Sequence, residues 1–84
     1  MPFVVRIHRP DKGPHRRGWD RPLAVTAHRK LEEAQEALAV ELATSTPTPM
    51  DSLRTRVLRA RALHAKPGEH IEVGEYDHWI EEEP

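Results

Sequence analysis

The sequence predicts a small α+β domain in which two or three mainly antiparallel strands are covered on one face by two helices. Period-two alternation of apolar residues near the ends, helical spacing of leucines in the middle, and proline and glycine at the junctions support this fold. Its length of 84 residues allows one core, and 37% apolar with 5% aromatic content makes that core thin. A chain so sparingly apolar often gains stability from a partner or from its own copy. Residues 1–80 are expected to form the domain and residues 81–84 a solvated acidic tail.

Phe3, Val5 and Ile7 alternate with Val4, Arg6 and His8, which predicts a strand over about 3–8 with one buried face. From Arg9 to Pro22 the chain mixes proline, glycine, arginine and aspartate around Trp19, a long basic loop at 9–22 that suits neither helix nor strand. Leu23-Ala24-Val25-Thr26-Ala27 reads as a second strand with Leu23, Val25 and Ala27 inward. The competing reading is a helix start capped by Asp20, since Leu23, Ala27 and Leu31 fall four apart. Arg29 and Lys30 stand at what would become the positive end of the next helix, an arrangement the helix dipole disfavours.

Leu31, Ala34, Leu38 and Leu42 form one apolar stripe with Glu32, Glu33 and Glu36 outside it, so a helix is expected over about 30–43. Thr44 to Pro49 ends it. Thr48 as N-cap and Pro49 at the first helical position predict a second helix over about 49–65, and Lys66-Pro67-Gly68-Glu69 closes it in the order of a type II turn. Beyond it Ile71 and Val73 face inward, but continued alternation would bury Glu75 and Asp77. A β-bulge at Gly74 restores the phase, giving one strand over about 70–81 with Tyr76, His78 and Ile80 inward and Trp79 outside among Glu75, Asp77 and Glu81. A hairpin at Gly74-Glu75 is the weaker reading, because it sets Glu72 opposite Asp77.

A formal net charge of −1 conceals four blocks: +6 over residues 1–30, −5 over 31–51, +5 over 52–68 and −7 over 69–84. Segregated charge serves internal pairing, self-association or a charged partner. Without cysteine there is no disulfide, thiol nucleophile or Cys-type metal site, and no apolar run approaches a membrane span. The start of the chain carries no signal-peptide pattern, so a cytoplasmic location is expected. Arginine in place of lysine and the lack of asparagine fit a GC-rich coding source, such as an actinobacterium or its phage.

The six histidines include no i,i+3 or i,i+4 pair and no His-Glu-x-x-His, so neither a metal nor a cofactor is expected. Serines and threonines cluster where capping explains them, there is no phosphate-binding glycine loop, and the paired carboxylates lie on a solvated face or tail. Those patterns argue against an enzyme.

Two sets of residues remain for binding. Trp79 and Trp19, with Arg16 and Arg17 of the long loop, suit a protein partner, since tryptophan and arginine are enriched in interface anchors. On the second helix Leu53, Val57 and Ala60 form an apolar strip, extended by Met50, with Arg56 and Arg59 on one flank and Arg54 and Arg61 on the other. Those four arginines and Lys66 could track phosphates; the competing expectation pairs them with the domain's own acids. The function expected is a non-enzymatic interaction or regulatory module, acting by homo-oligomerisation or by binding a protein partner. Nucleic-acid binding through the second helix and the 9–22 loop is the alternative.

Overall fold

A computed structural model describes residues 2–45 and 52–84. In chain order the elements are β1 (Phe3–His8), β2 (Leu23–His28), α1 (Leu31–Ser45), α2 (Leu53–Leu63), β3 (Ile71–Val73) and β4 (Tyr76–Glu82). The fold is α+β, with four antiparallel strands in one open sheet of order β2-β1-β4-β3, one strand or two more than the sequence predicts.

The extra strand comes from the hairpin that replaces the expected bulge at Gly74. Val73 pairs with Tyr76, so Gly74 and Glu75 form a two-residue turn, and Gly74 at φ +62° takes the first position of a type II′ turn. Such a turn keeps the inward set unchanged: Ile71 lies opposite His78 and Val73 opposite Tyr76. The hairpin does set Glu72 opposite Asp77. That repulsion is offset because the His70 Nδ1–H donates to Asp77 Oδ2 at 2.6 Å.

β1 is central. It pairs with β4 from Phe3↔Glu82 to His8↔Asp77 and with β2 on its other side. The β1–β2 register shifts between Val5 and Arg6: Thr26 lies opposite Val5 and Ala24 opposite Arg6, leaving Val25 as the extra residue. Thr26 and His28 therefore share the side of Val5, while Ala27 pairs with Val4. Leu23, opposite Ile7, keeps the expected side, whereas beyond the extra residue Val25 the facing reverses and Ala27, expected inward, lies with Val4 on the other side. β2 is an edge strand with Leu23 56% exposed.

α1 packs against β1, β2 and β4, and α2 packs against α1. Ala34, Leu38, Leu42, Leu58, Ala62 and Ala65 join Val5, Ile71, Val73 and Ile80 in one buried cluster. Gln35 Nε2–H donates to the Ala65 carbonyl at 2.8 Å, tying the start of α1 to the end of α2, so the two helices run antiparallel. α2 begins later than the sequence predicts: Ser52 is the N-cap, its Oγ accepting from Thr55 N at 3.2 Å. The expected cap Thr48, with Pro49 and Met50, lies outside the described residues. The type II turn is present, with Glu69 N donating to Lys66 O at 3.0 Å and Gly68 at φ +87°.

Glu81 and Glu83 are tied to β1 rather than left in a solvated tail, while the side chain of Glu82 stays exposed. Arg6 Nε meets Glu81 Oε2 at 2.6 Å and Arg6 Nη2 meets Glu83 Oε1 at 2.7 Å, which raises the Arg6 pKa further.

The long loop folds onto the β3–β4 turn. Trp19 N donates to Arg9 O at 2.8 Å, the His8 Nε2–H donates to Trp19 O at 2.9 Å, and the Trp19 ring meets Tyr76 at 5.7 Å between centroids. Arg9 and Arg16 both pair with Glu75, at 3.1 and 2.8 Å. Gly18 is needed where the loop closes, because a Cβ there would overlap the Arg9 carbonyl oxygen and the Asp11 nitrogen. Gly18→Ala should therefore detach the loop from the turn, shifting Trp19 emission to the red and lowering stability by about 1–3 kcal/mol in urea titrations. Unchanged emission and midpoint would show that the backbone yields.

His78 is fully buried on β4 and satisfied at both nitrogens. Its Nδ1–H donates to Ile71 O at 3.3 Å, leaving Nε2 to accept from the Ser45 hydroxyl at 3.1 Å. Burial lowers its pKa, outweighing the Ile71 carbonyl, Glu41 and Asp77, which act the other way. The folded state thus binds a proton less readily than the unfolded chain. Stability is full above the unfolded value near 6.5 and is lost as pH falls through and below it, by up to about 1.4 kcal/mol per pH unit. Urea midpoints between pH 7.5 and 5 should show that fall, and His78→Gln should flatten it.

Candidate functional site

The described residues contain no group of three or more histidine, aspartate or glutamate side chains placed to hold a metal, and no helix among them is long and apolar enough to cross a membrane. The aromatic and arginine residues that the sequence singles out are the remaining candidates for a site.

Those four partner candidates converge only in part. Trp79 lies on the opposite face of β4 from His78 and Ile80, as strand alternation requires, yet it is only 8% exposed. The His70 ring stacks on it at 4.5 Å between centroids, and Asp77 anchors that histidine. Trp79 is thus covered by its own chain. Trp19 is half-buried against Tyr76, and Arg16 is engaged by Glu75. Arg17 stays exposed and makes no ion pair among the described residues.

α2 departs from the expected internal pairing. Arg54, Arg56, Arg59 and Arg61 are all exposed, and none has an ion-pair partner among the described residues. Glu75, Asp77, Glu81 and Glu83 are engaged by Arg6, Arg9, Arg16 and His70 instead, because β1 is the strand beside β4. Lys66, past the end of the helix, is exposed as well.

The buried residues of α2 are Thr55, Leu58 and Ala62, with Ala65 beyond its end. Leu53, Val57 and Ala60 therefore face solvent, Leu53 at 77% and Val57 at 51% exposure. On a helical projection they occupy the middle of the exposed arc, between Arg56 and Arg59 on one side and Arg54 and Arg61 on the other. Between α1 and α2 runs a groove of about 340 Å³ lined by Glu36, Ala39, Val40 and Ala43 of one helix and Thr55, Arg56, Arg59 and Leu63 of the other.

Val40 is a site residue that the sequence reading passes over. It is 63% exposed at the lip of the groove. The signal was present, since Val40 lies about 200° around the helix from Leu38 and so cannot join the buried stripe. Beside it on the outer side of α1 stand Glu33, Glu36 and Thr44, all exposed. The helix pair thus presents one acidic and one basic edge, each with apolar groups at its centre.

Ser45 with His78 has the composition of a nucleophile and base, but His78 is sealed in the core, and the groove is not lined by either residue. No protein-family model matches the chain, and neither a curated protein nor a solved structure gives a significant match, so the α1–α2 surface stands on its geometry alone.

Proposed function

We propose that the chain is a non-enzymatic interaction module whose docking face is the solvent side of the helix pair. α1 packs on the strands and α2 packs on α1, which leaves the outer side of α2 to meet a partner. The observation that carries the reading is the exposed Leu53-Val57-Ala60 strip between two pairs of arginines that make no ion pair among the described residues. Such a strip fits a protein surface in which acids alternate with apolar groups. Arginine supplies bidentate carboxylate contacts at the rim, and desolvation of the strip supplies affinity.

Nucleic-acid binding is a second reading, favoured by the absence of internal partners for Arg54, Arg56, Arg59 and Arg61 among the described residues. Two features count against it. Phosphate tracking gains nothing from a bare apolar strip, and Glu36 stands across the groove from Arg56 and Arg59, where it would repel a phosphate backbone.

Fluorescence anisotropy with two labelled probes separates the readings. One is an acidic amphipathic peptide with glutamate and leucine at helical spacing, the other a single-stranded oligonucleotide of about one turn or more of duplex length. The peptide should bind, and Val57→Asp with Leu53→Asp should weaken it at least about tenfold. Oligonucleotide binding should stay at the nonspecific background. Submicromolar oligonucleotide affinity at physiological salt, with a salt slope that Arg56→Ala and Arg59→Ala reduce by up to about two, would replace the first reading with the second.

A further inference from the structure

We infer that the partner fitting this face is a second copy of the chain, bound helix pair to helix pair about a two-fold axis parallel to α1 and α2. The inference rests on the interaction reading above and names its partner.

The required acidic, apolar surface is already present on α1. Its outer side carries Glu33 and Glu36 near the start, Val40 at the middle and Thr44 near the end, all exposed. α2 carries Arg59 and Arg61 near its end, Val57 at the middle and Leu53 with Arg54 at its start, again exposed. The helices are antiparallel, with Gln35 meeting Ala65 and with Ala43 and Thr55 lining the same groove. Position along the pair therefore matches acid to base: Glu33 and Glu36 stand level with the arginine end of α2, and Val40 level with Val57.

A two-fold axis running along the groove preserves that level while exchanging the helices. The α1 of one copy then lies across the α2 of the other, and the same contact is made twice. Glu33 and Glu36 meet Arg59 and Arg61, and Val40 meets the Val57 strip. The alternative in-plane axis, perpendicular to the helices, lays each helix on its own copy in reverse direction and sets Arg54 of one α2 beside Arg61 of the other. Like charges in contact disfavour it, so charge selects the first axis.

Sedimentation equilibrium on the full chain tests this with charge reversals that leave the core untouched. The wild type should dimerise. Arg59→Glu with Arg61→Glu in one variant, and Glu33→Arg with Glu36→Arg in another, should each weaken dimerisation at least about tenfold. Mixed in equal amounts, the two variants should assemble as a heterodimer, because both halves of the interface become complementary again. A wild-type chain that stays monomeric at millimolar concentration would overturn the inference, and so would a mixture that assembles no better than its components. Dimerisation that ignores the charge reversals but is lost with Leu23→Asp would also overturn it, placing the contact at the β2 edge. If the acidic peptide binds a monomeric chain, only the second-copy inference fails. Loss of both peptide binding and dimerisation ends the interaction reading itself.

Discussion

The pairing of β1 with β4 is the constraint on which the rest of the molecule depends. It joins the first strand of the chain to the last, so every other element must be accommodated between two neighbouring strands. It also decides the electrostatics. Arg6 faces Glu81 and Glu83 across that pairing, and Arg9 and Arg16 reach Glu75 at the turn where β4 begins. Partly exposed ion pairs of this kind contribute little stability each. Their larger consequence is allocation, since Glu75, Glu81 and Glu83 are held on the sheet by arginines from the start of the chain.

Local patterns made much of this fold legible. β1 follows from Phe3, Val5 and Ile7, β2 from the apolar run after Pro22, α1 from a stripe of leucines and alanines, and the turn at Lys66–Glu69 from Pro67-Gly68. The facing of Ile71, Val73, His78 and Ile80 was also readable, because a bulge and a two-residue hairpin produce the same inward set. What separates those two solutions is a cross-strand contact between Glu72 and Asp77, and its sign depends on His70, which no periodicity places beside Asp77. The register of β2 was hidden for a similar reason. Val25 becomes the extra residue opposite β1, and nothing in Leu23-Ala24-Val25-Thr26-Ala27 marks it.

The candidate site shows the same division. The sequence supplied the composition of the α2 surface, an apolar strip with arginine flanks, but not its orientation. Orientation is set by Leu58 and Ala62, which enter the core and turn Leu53, Val57 and Ala60 outward. Trp79 erred in the opposite sense. Alternation placed it correctly on the far side of β4 from Ile80, yet its exposure depended on whether His70 would stack over it, a contact between residues nine apart across a hairpin. Fold periodicity fixes which way a side chain points, and tertiary neighbours fix whether water reaches it.

On the proposed docking face, charge and apolar area would divide the work of recognition. Four solvated arginines gain little from exposed carboxylates, because each pair sheds hydration and side-chain freedom for a screened attraction. Affinity must therefore come from burying Leu53, Val57 and Val40, whose transfer from water is favourable in proportion to the area covered. An apolar strip alone has no preferred partner or direction, and many surfaces would satisfy it equally. The arginines and glutamates remove that degeneracy by penalising every arrangement that opposes like charges. Glu36 facing Arg56 and Arg59 across an open groove illustrates the balance: close enough to set the local potential, yet making no ion pair of its own among the described residues. The proposed docking face would thus be specific through its charges and adhesive through its centre, a combination that requires both sets of residues to stay unsatisfied among the described residues, as the four arginines do.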